Sequence, residues 1–96
     1  MNYSEIGQVV ISKSGRDKGN FFVIIDIIGE YIYLVDGNLR RVENPKKKKL
    51  KHIQPTNIII NQLQKDIVSG VKVSNADVRK ALDLYCEKKS NSQEVI

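Results

Sequence analysis

A mainly β fold, a small barrel of five short strands followed by two short α-helices, is what this 96-residue sequence predicts. Three observations point there. Apolar, β-branched runs of strand length fill the first half, glycine-bearing turns separate them, and after Pro55 the hydrophobic period becomes helical. The predicted units are a barrel over 1–56, a helical extension over 57–89 and a flexible tail over 90–96.

The first strand, residues 8–12, reads Gln-Val-Val-Ile-Ser and stops at Ser14-Gly15. The second, residues 20–28, is rich in Phe, Val and Ile and ends at Gly29-Glu30. Residues 31–35 alternate aromatic and aliphatic side chains up to Asp36-Gly37-Asn38, a strong turn signal. Residues 39–42 and 50–53 are the expected fourth and fifth strands, with Asn44-Pro45 and a lysine loop between them. Five strands this short favour closure, which hides edges that a flat meander would expose. Beyond Pro55, Ile59, Ile60, Leu63 and Ile67 fall at helical spacing, with Gly70 as the stop. Ser74-Asn75-Ala76-Asp77 has the form of a helix cap, and Val78, Ala81, Leu82 and Tyr85 give the second helix one apolar stripe.

Composition narrows the function. Cys86 is the only cysteine, which excludes an internal disulfide and fits a reducing, cytoplasmic setting. The first residues show no basic region followed by an apolar one, and no run is long enough to span a bilayer, so no membrane role is expected. With one histidine and one cysteine there is no metal-ligand set. Nor is there a nucleotide-hydrolase phosphate loop or a nucleophile with its base, so no enzyme activity, cofactor or small-molecule substrate is expected. The net charge is +5, and residues 38–52 hold seven Lys/Arg against Glu43 alone. Such a local excess favours a polyanionic partner.

The stretch Ser14-Gly15-Arg16-Asp17-Lys18-Gly19 joins the first two strands. Gly15 and Gly19, like Gly37 in the later turn, sit where the chain reverses and a positive φ is expected. Arg16 and Lys18 then project from a backbone that can approach a partner closely. The order Gly7, alternating apolar residues, Gly15 to Gly19, and Val23-Ile24-Ile25 resembles the KOW motif of ribosomal proteins and transcription-elongation factors. That resemblance implies the first hairpin of an SH3-like barrel. With Leu34-Val35-Asp36-Gly37, the basic stretch after Pro45 and Lys51-His52-Ile53, it extends to large-subunit ribosomal proteins of the e-type KOW group and their small bacterial relatives. Phe22 stands where many KOW motifs have a further glycine.

The expected function is therefore binding of structured RNA, ribosomal RNA by resemblance, with ribosomal proteins as further partners. Lys13, Arg16, Lys18, Arg40, Arg41, Lys46, Lys47, Lys48, Lys49, Lys51 and His52 are the candidate contacts. Two readings stand for Lys46–Lys49: a solubilising loop or a phosphate-contacting surface, the second favoured by Arg40, Arg41 and Lys51 on either side. Phe21, Phe22, Tyr31 and Tyr33 are expected in the core or on strand faces, not as base-stacking platforms. The alternative function is a protein-interaction module docking on a ribosomal or RNA polymerase surface.

Overall fold

The computed structural model describes residues 4–94, with side chains through Tyr85. Strands β1 (Gln8–Ser12), β2 (Phe21–Ile28), β3 (Tyr31–Val35), β4 (Lys46–Lys49) and β5 (Ile53–Ile59) form one antiparallel sheet in the order β4-β3-β2-β1-β5. A 3-10 turn at Leu50–His52 joins the last two strands, and helices α1 (Asn61–Val68) and α2 (Asn75–Glu94) follow. The sheet is open: β4 and β5 are its edges, and no ladder joins them.

Alternation along the central strands buries both faces. Val9, Val23 and Val35 point to one side, where Leu63 of α1, Val78 and Leu82 of α2, and Val73 between the helices cover them. Val10, Phe22, Ile24, Ile32 and Leu34 point to the other, with Ile53. Neighbours in sequence therefore enter different clusters, as a period of two requires. A register shift between Ile24 and Asp26 changes the phase, so Ile27 joins the second cluster. Phe21 is half-buried and meets Tyr85 of α2 edge-on, with ring centroids 5.4 Å apart. The helices thus cover the sheet face opposite the one lined by Phe22.

Several boundaries differ from the sequence reading. Residues 39–42 form no strand. The Asp36 carboxylate accepts the backbone amides of Asn38 and Arg40 at 2.9 and 2.8 Å, which holds the segment in a turn and leaves Leu39 78% exposed. The fourth strand is instead Lys46–Lys49, pairing with Leu34 through Tyr31, so the lysine run is an edge strand and not a loop. Leu50–His52 is helical, and the fifth strand starts at Ile53 and runs on through Pro55 to Ile59. Proline is tolerated there because β5 pairs only with β1 and its other side is a free edge. Consequently Ile59 belongs to β5, and α1 starts at Asn61.

The stop of α1 and the cap of α2 are where the sequence placed them. Gly70 follows α1 with φ +82°, and Asp77 and Ser74 exchange the reciprocal bonds of a capping box at the start of α2. Helix α2 continues to Glu94, past the expected start of the tail at residue 90. The Cys86 side chain and residues 95–96 lie outside the described residues.

Candidate nucleic-acid interface

The β1–β2 hairpin has the geometry its glycines imply. Gly15 and Gly19 take φ of +83° and +89°, the Gly19 amide donates to the Ser12 carbonyl at 2.8 Å, and Ser12 N–H donates to the Asn20 carbonyl at 3.1 Å. Lys13, Arg16 and Lys18 are exposed on this loop. The Lys13 amide donates to the His52 carbonyl at 2.9 Å, which sets the loop beside exposed Lys51 and half-buried His52.

Period two divides the four lysines of β4. Lys47 and Lys49 lie opposite Tyr33 and Tyr31, and both ammonium groups reach the Tyr31 ring, at 4.4 and 5.8 Å from its centroid. Lys49 also pairs with exposed Glu30 at 3.6 Å. Lys46 and Lys48, opposite Leu34 and Ile32, point the other way. Lys48 is only 8% exposed, and its ammonium donates to the Ser12 hydroxyl at 2.6 Å, the Ser14 carbonyl at 2.7 Å and Asp17 Oδ1 at 3.1 Å. Its three N–H donors have three acceptors. Lys46 pairs with Asp17 Oδ2 at 3.1 Å.

Asp17 is therefore the hub of this cluster, a role the sequence reading does not assign it. Burial alone would raise its pKa. Bonds from the Ser12 hydroxyl, Lys48 and Lys46 outweigh that and take it from 3.8 down to about 2. The clue in the sequence is a carboxylate inside the most basic hairpin, with lysines at alternate positions of a later run.

The β3–β4 loop carries Arg40 and Arg41. Arg41 pairs with Glu43 at 3.1 Å on the exposed side. Glu43 also accepts from the Asn75 side-chain amide, and these two partners, Asn75 first, hold its pKa below the usual value. Asn75 Oδ1 in turn accepts the Val42 amide at 2.7 Å, and Arg79 donates to the Gly37 carbonyl at 2.6 Å. The start of α2 thus clamps this loop from Gly37 to Glu43. Nothing in the sequence pairs these residues with one another. Arg40, half-buried, faces a cavity of about 350 Å³ between the β1–β2 and β3–β4 loops, which Arg16 and Lys46 also line.

The structure therefore brings Arg16, Arg40 and Lys46 to one cavity and sets Lys13 by Lys51 and His52. It places Lys47 and Lys49 on the other face of β4 and turns Lys48 inward. Of the aromatic residues expected in the core or on strand faces, Phe22 is buried, Phe21 packs on α2, and Tyr31 and Tyr33 are half-buried on β3.

A glycine-bracketed first hairpin in a five-stranded sheet with a cationic edge defines a small basic β protein of the KOW type. The chain is 32% identical over 79 residues to large ribosomal subunit protein eL14 of Methanococcus maripaludis strain C6, covering 82% of this chain and 88% of that protein. Large ribosomal subunit protein eL14 of Methanococcus vannielii is 36% identical over 52 residues, 54% of this chain and 62% of that protein. The chain belongs to the eL14 family of large-subunit ribosomal proteins. No family model matches it.

Proposed function

We propose that this protein is a non-enzymatic, cytoplasmic component of the large ribosomal subunit that binds structured ribosomal RNA through its basic hairpin, β4 and the 3-10 turn. The observation that carries this reading is the outward set Lys13, Arg16, Lys18, Lys47 and Lys51, exposed together on neighbouring elements within a family of ribosomal proteins. Lysine and arginine neutralise phosphates and release counterions, and RNA shape supplies the selectivity, since long lysine side chains carry no base code. Lys48 serves as an internal brace in this scheme, with Lys46 shared between Asp17 and the cavity.

The sheet is read as an SH3-like barrel, and two features support closure. In a flat sheet β4 and β1 would lie roughly 14 Å apart, three strand spacings, yet Lys48 reaches Ser12 at 2.6 Å. The single 3-10 turn Leu50–His52 also spans from one edge strand to the other. A strongly curled sheet satisfies both.

The test is a titration of structured RNA at several salt concentrations. Replacing Lys47, Lys49 and Lys51 with Gln should change stability by less than about 1 kcal/mol, because Lys47 and Lys51 are exposed and the Lys49–Glu30 pair is a surface contact. The slope of log K against log salt should flatten by roughly 2–3 units if all three contact phosphate. An unchanged slope with a folded variant would place the binding surface elsewhere. Ribosome co-purification that is lost after RNase treatment would identify RNA as the direct partner.

The alternative, docking on a protein surface, is favoured by one observation. Exposed Ile58 and Leu84 border a small cavity of about 210 Å³ with Ile60, Ala81 and Tyr85, none of them a candidate RNA contact. Ribosome association that survives RNase would support it.

A further inference from the structure

We infer that the cavity between the β1–β2 and β3–β4 loops receives a single nucleotide turned out of the helical stack of the bound RNA. This rests on the RNA-binding reading and names the RNA feature it selects. The cavity, about 350 Å³, lies at the low end of small-ligand sites, ~300–1,000 Å³. Its lining sets Arg16, Arg40 and Lys46 and two apolar walls beside the carboxylates of Asp17, paired with Lys46 and Lys48, and Asp36, engaged by its own turn. Phe22 closes the floor with a buried apolar ring, and Leu39 stands at the rim, held out by the Asp36 turn.

The cations are the second observation. Arg41 is paired with Glu43 and Arg79 with Gly37, but the guanidinium groups of Arg16 and Arg40 have no partner among the described residues, and both line this cavity. A guanidinium offers a fork for phosphate and a flat face for a base. The Asp36 carboxylate fixes the turn through Oδ1, so Leu39 and Arg40 are held in place before any ligand arrives. Asn20, exposed at the same cavity, adds an amide that can both donate to and accept from a base edge. A bare phosphate would use the cations but not the Leu39 and Phe22 walls. A base within a paired A-form helix cannot reach such a site, whereas a bulged or loop nucleotide can.

The experiment uses the full chain and two RNA hairpins, one with a single bulged adenosine and one with that nucleotide deleted. Binding is followed by fluorescence anisotropy, and each variant is checked by a thermal melt. Wild-type protein should prefer the bulged hairpin by about tenfold, the scale of one stacked base. Leu39→Ala with Arg40→Ala should abolish the preference, with affinity for the paired hairpin lowered by no more than the loss of one cation. Lys47→Gln with Lys49→Gln should weaken both hairpins alike and keep the preference. Should the Leu39/Arg40 variant fail to fold, Arg16→Ala on its exposed loop should reduce the preference instead. Equal wild-type affinity for the two hairpins, or a preference that survives the cavity substitutions, overturns the inference while leaving RNA binding intact. No binding to either hairpin overturns the RNA-binding reading and this inference with it.

Discussion

Replacing Gly37 with alanine is expected to destabilise the protein by about 2–5 kcal/mol, more than the same change at Gly19. Two costs add there. Gly37 takes φ +77°, where an L side chain is strained by about 1–2 kcal/mol. A Cβ at this position would also overlap the Asn75 backbone carbonyl and lie 2.9 Å from Arg79 Cγ. The carbonyl belongs to the first residue of α2 and cannot yield unless the helix moves, so about 1–3 kcal/mol of overpacking follows. Gly19 is the control, with a similar φ of +89° but no atom within 4 Å of where a Cβ would stand. Gly19→Ala should therefore cost only about 1–2 kcal/mol. Urea unfolding of both variants reads the difference directly. Equal losses would mean that α2 does not abut the β3–β4 turn in solution.

Gly37 also shows what sequence reading reaches and where it stops. Asp36-Gly37-Asn38 is legible as a turn because positive φ and side-chain-to-backbone bonding are local chemistry. The contact that makes Gly37 costly to replace comes from Asn75 and Arg79, far along the chain, and no local pattern announces it. The first three strands are legible from their β-branched and aromatic runs. The fourth is not, because four lysines carry little β-propensity; they pair because β3 offers a free edge, and lysine suits an edge strand. Residues 39–42 look like that strand because Leu and Val are apolar, but the Asp36 carboxylate captures the backbone first. At the candidate interface, the basic cluster is legible as composition. Which lysines face outward depends on Asp17, paired with Lys48 across more than thirty residues.

Asp17 should also control the acid stability of the fold. Its pKa falls from 3.8 to about 2 on folding, so the unfolded chain takes up this proton first as pH drops. The stabilisation is complete above about pH 4 and is lost as pH falls toward 2, and amounts to about 2 kcal/mol. Asp17→Asn removes that part of the pH dependence and leaves the Lys48 ammonium, 8% exposed, without its counter-charge. A loss of about 2–3 kcal/mol at neutral pH is expected, at or below the ~3–5 kcal/mol of a broken buried pair, since Lys48 keeps its bonds to Ser12 and Ser14. Lys48→Met should cost less, because its apolar stem is kept and Asp17 retains Lys46 at 3.1 Å. In the double variant both charges of the buried pair are gone, so its loss should be smaller than the sum of the two single losses. Glu43, whose pKa is also lowered, is common to all these proteins, so the difference between wild type and Asp17→Asn isolates the Asp17 contribution. Urea unfolding from pH 7 to pH 2 supplies the curves. If wild type and Asp17→Asn lose stability in parallel below pH 4, Asp17 is not held as a carboxylate by Lys48. The brace between β4 and β1 would then have to be sought in the apolar cluster of Val10, Phe22 and Ile53 instead.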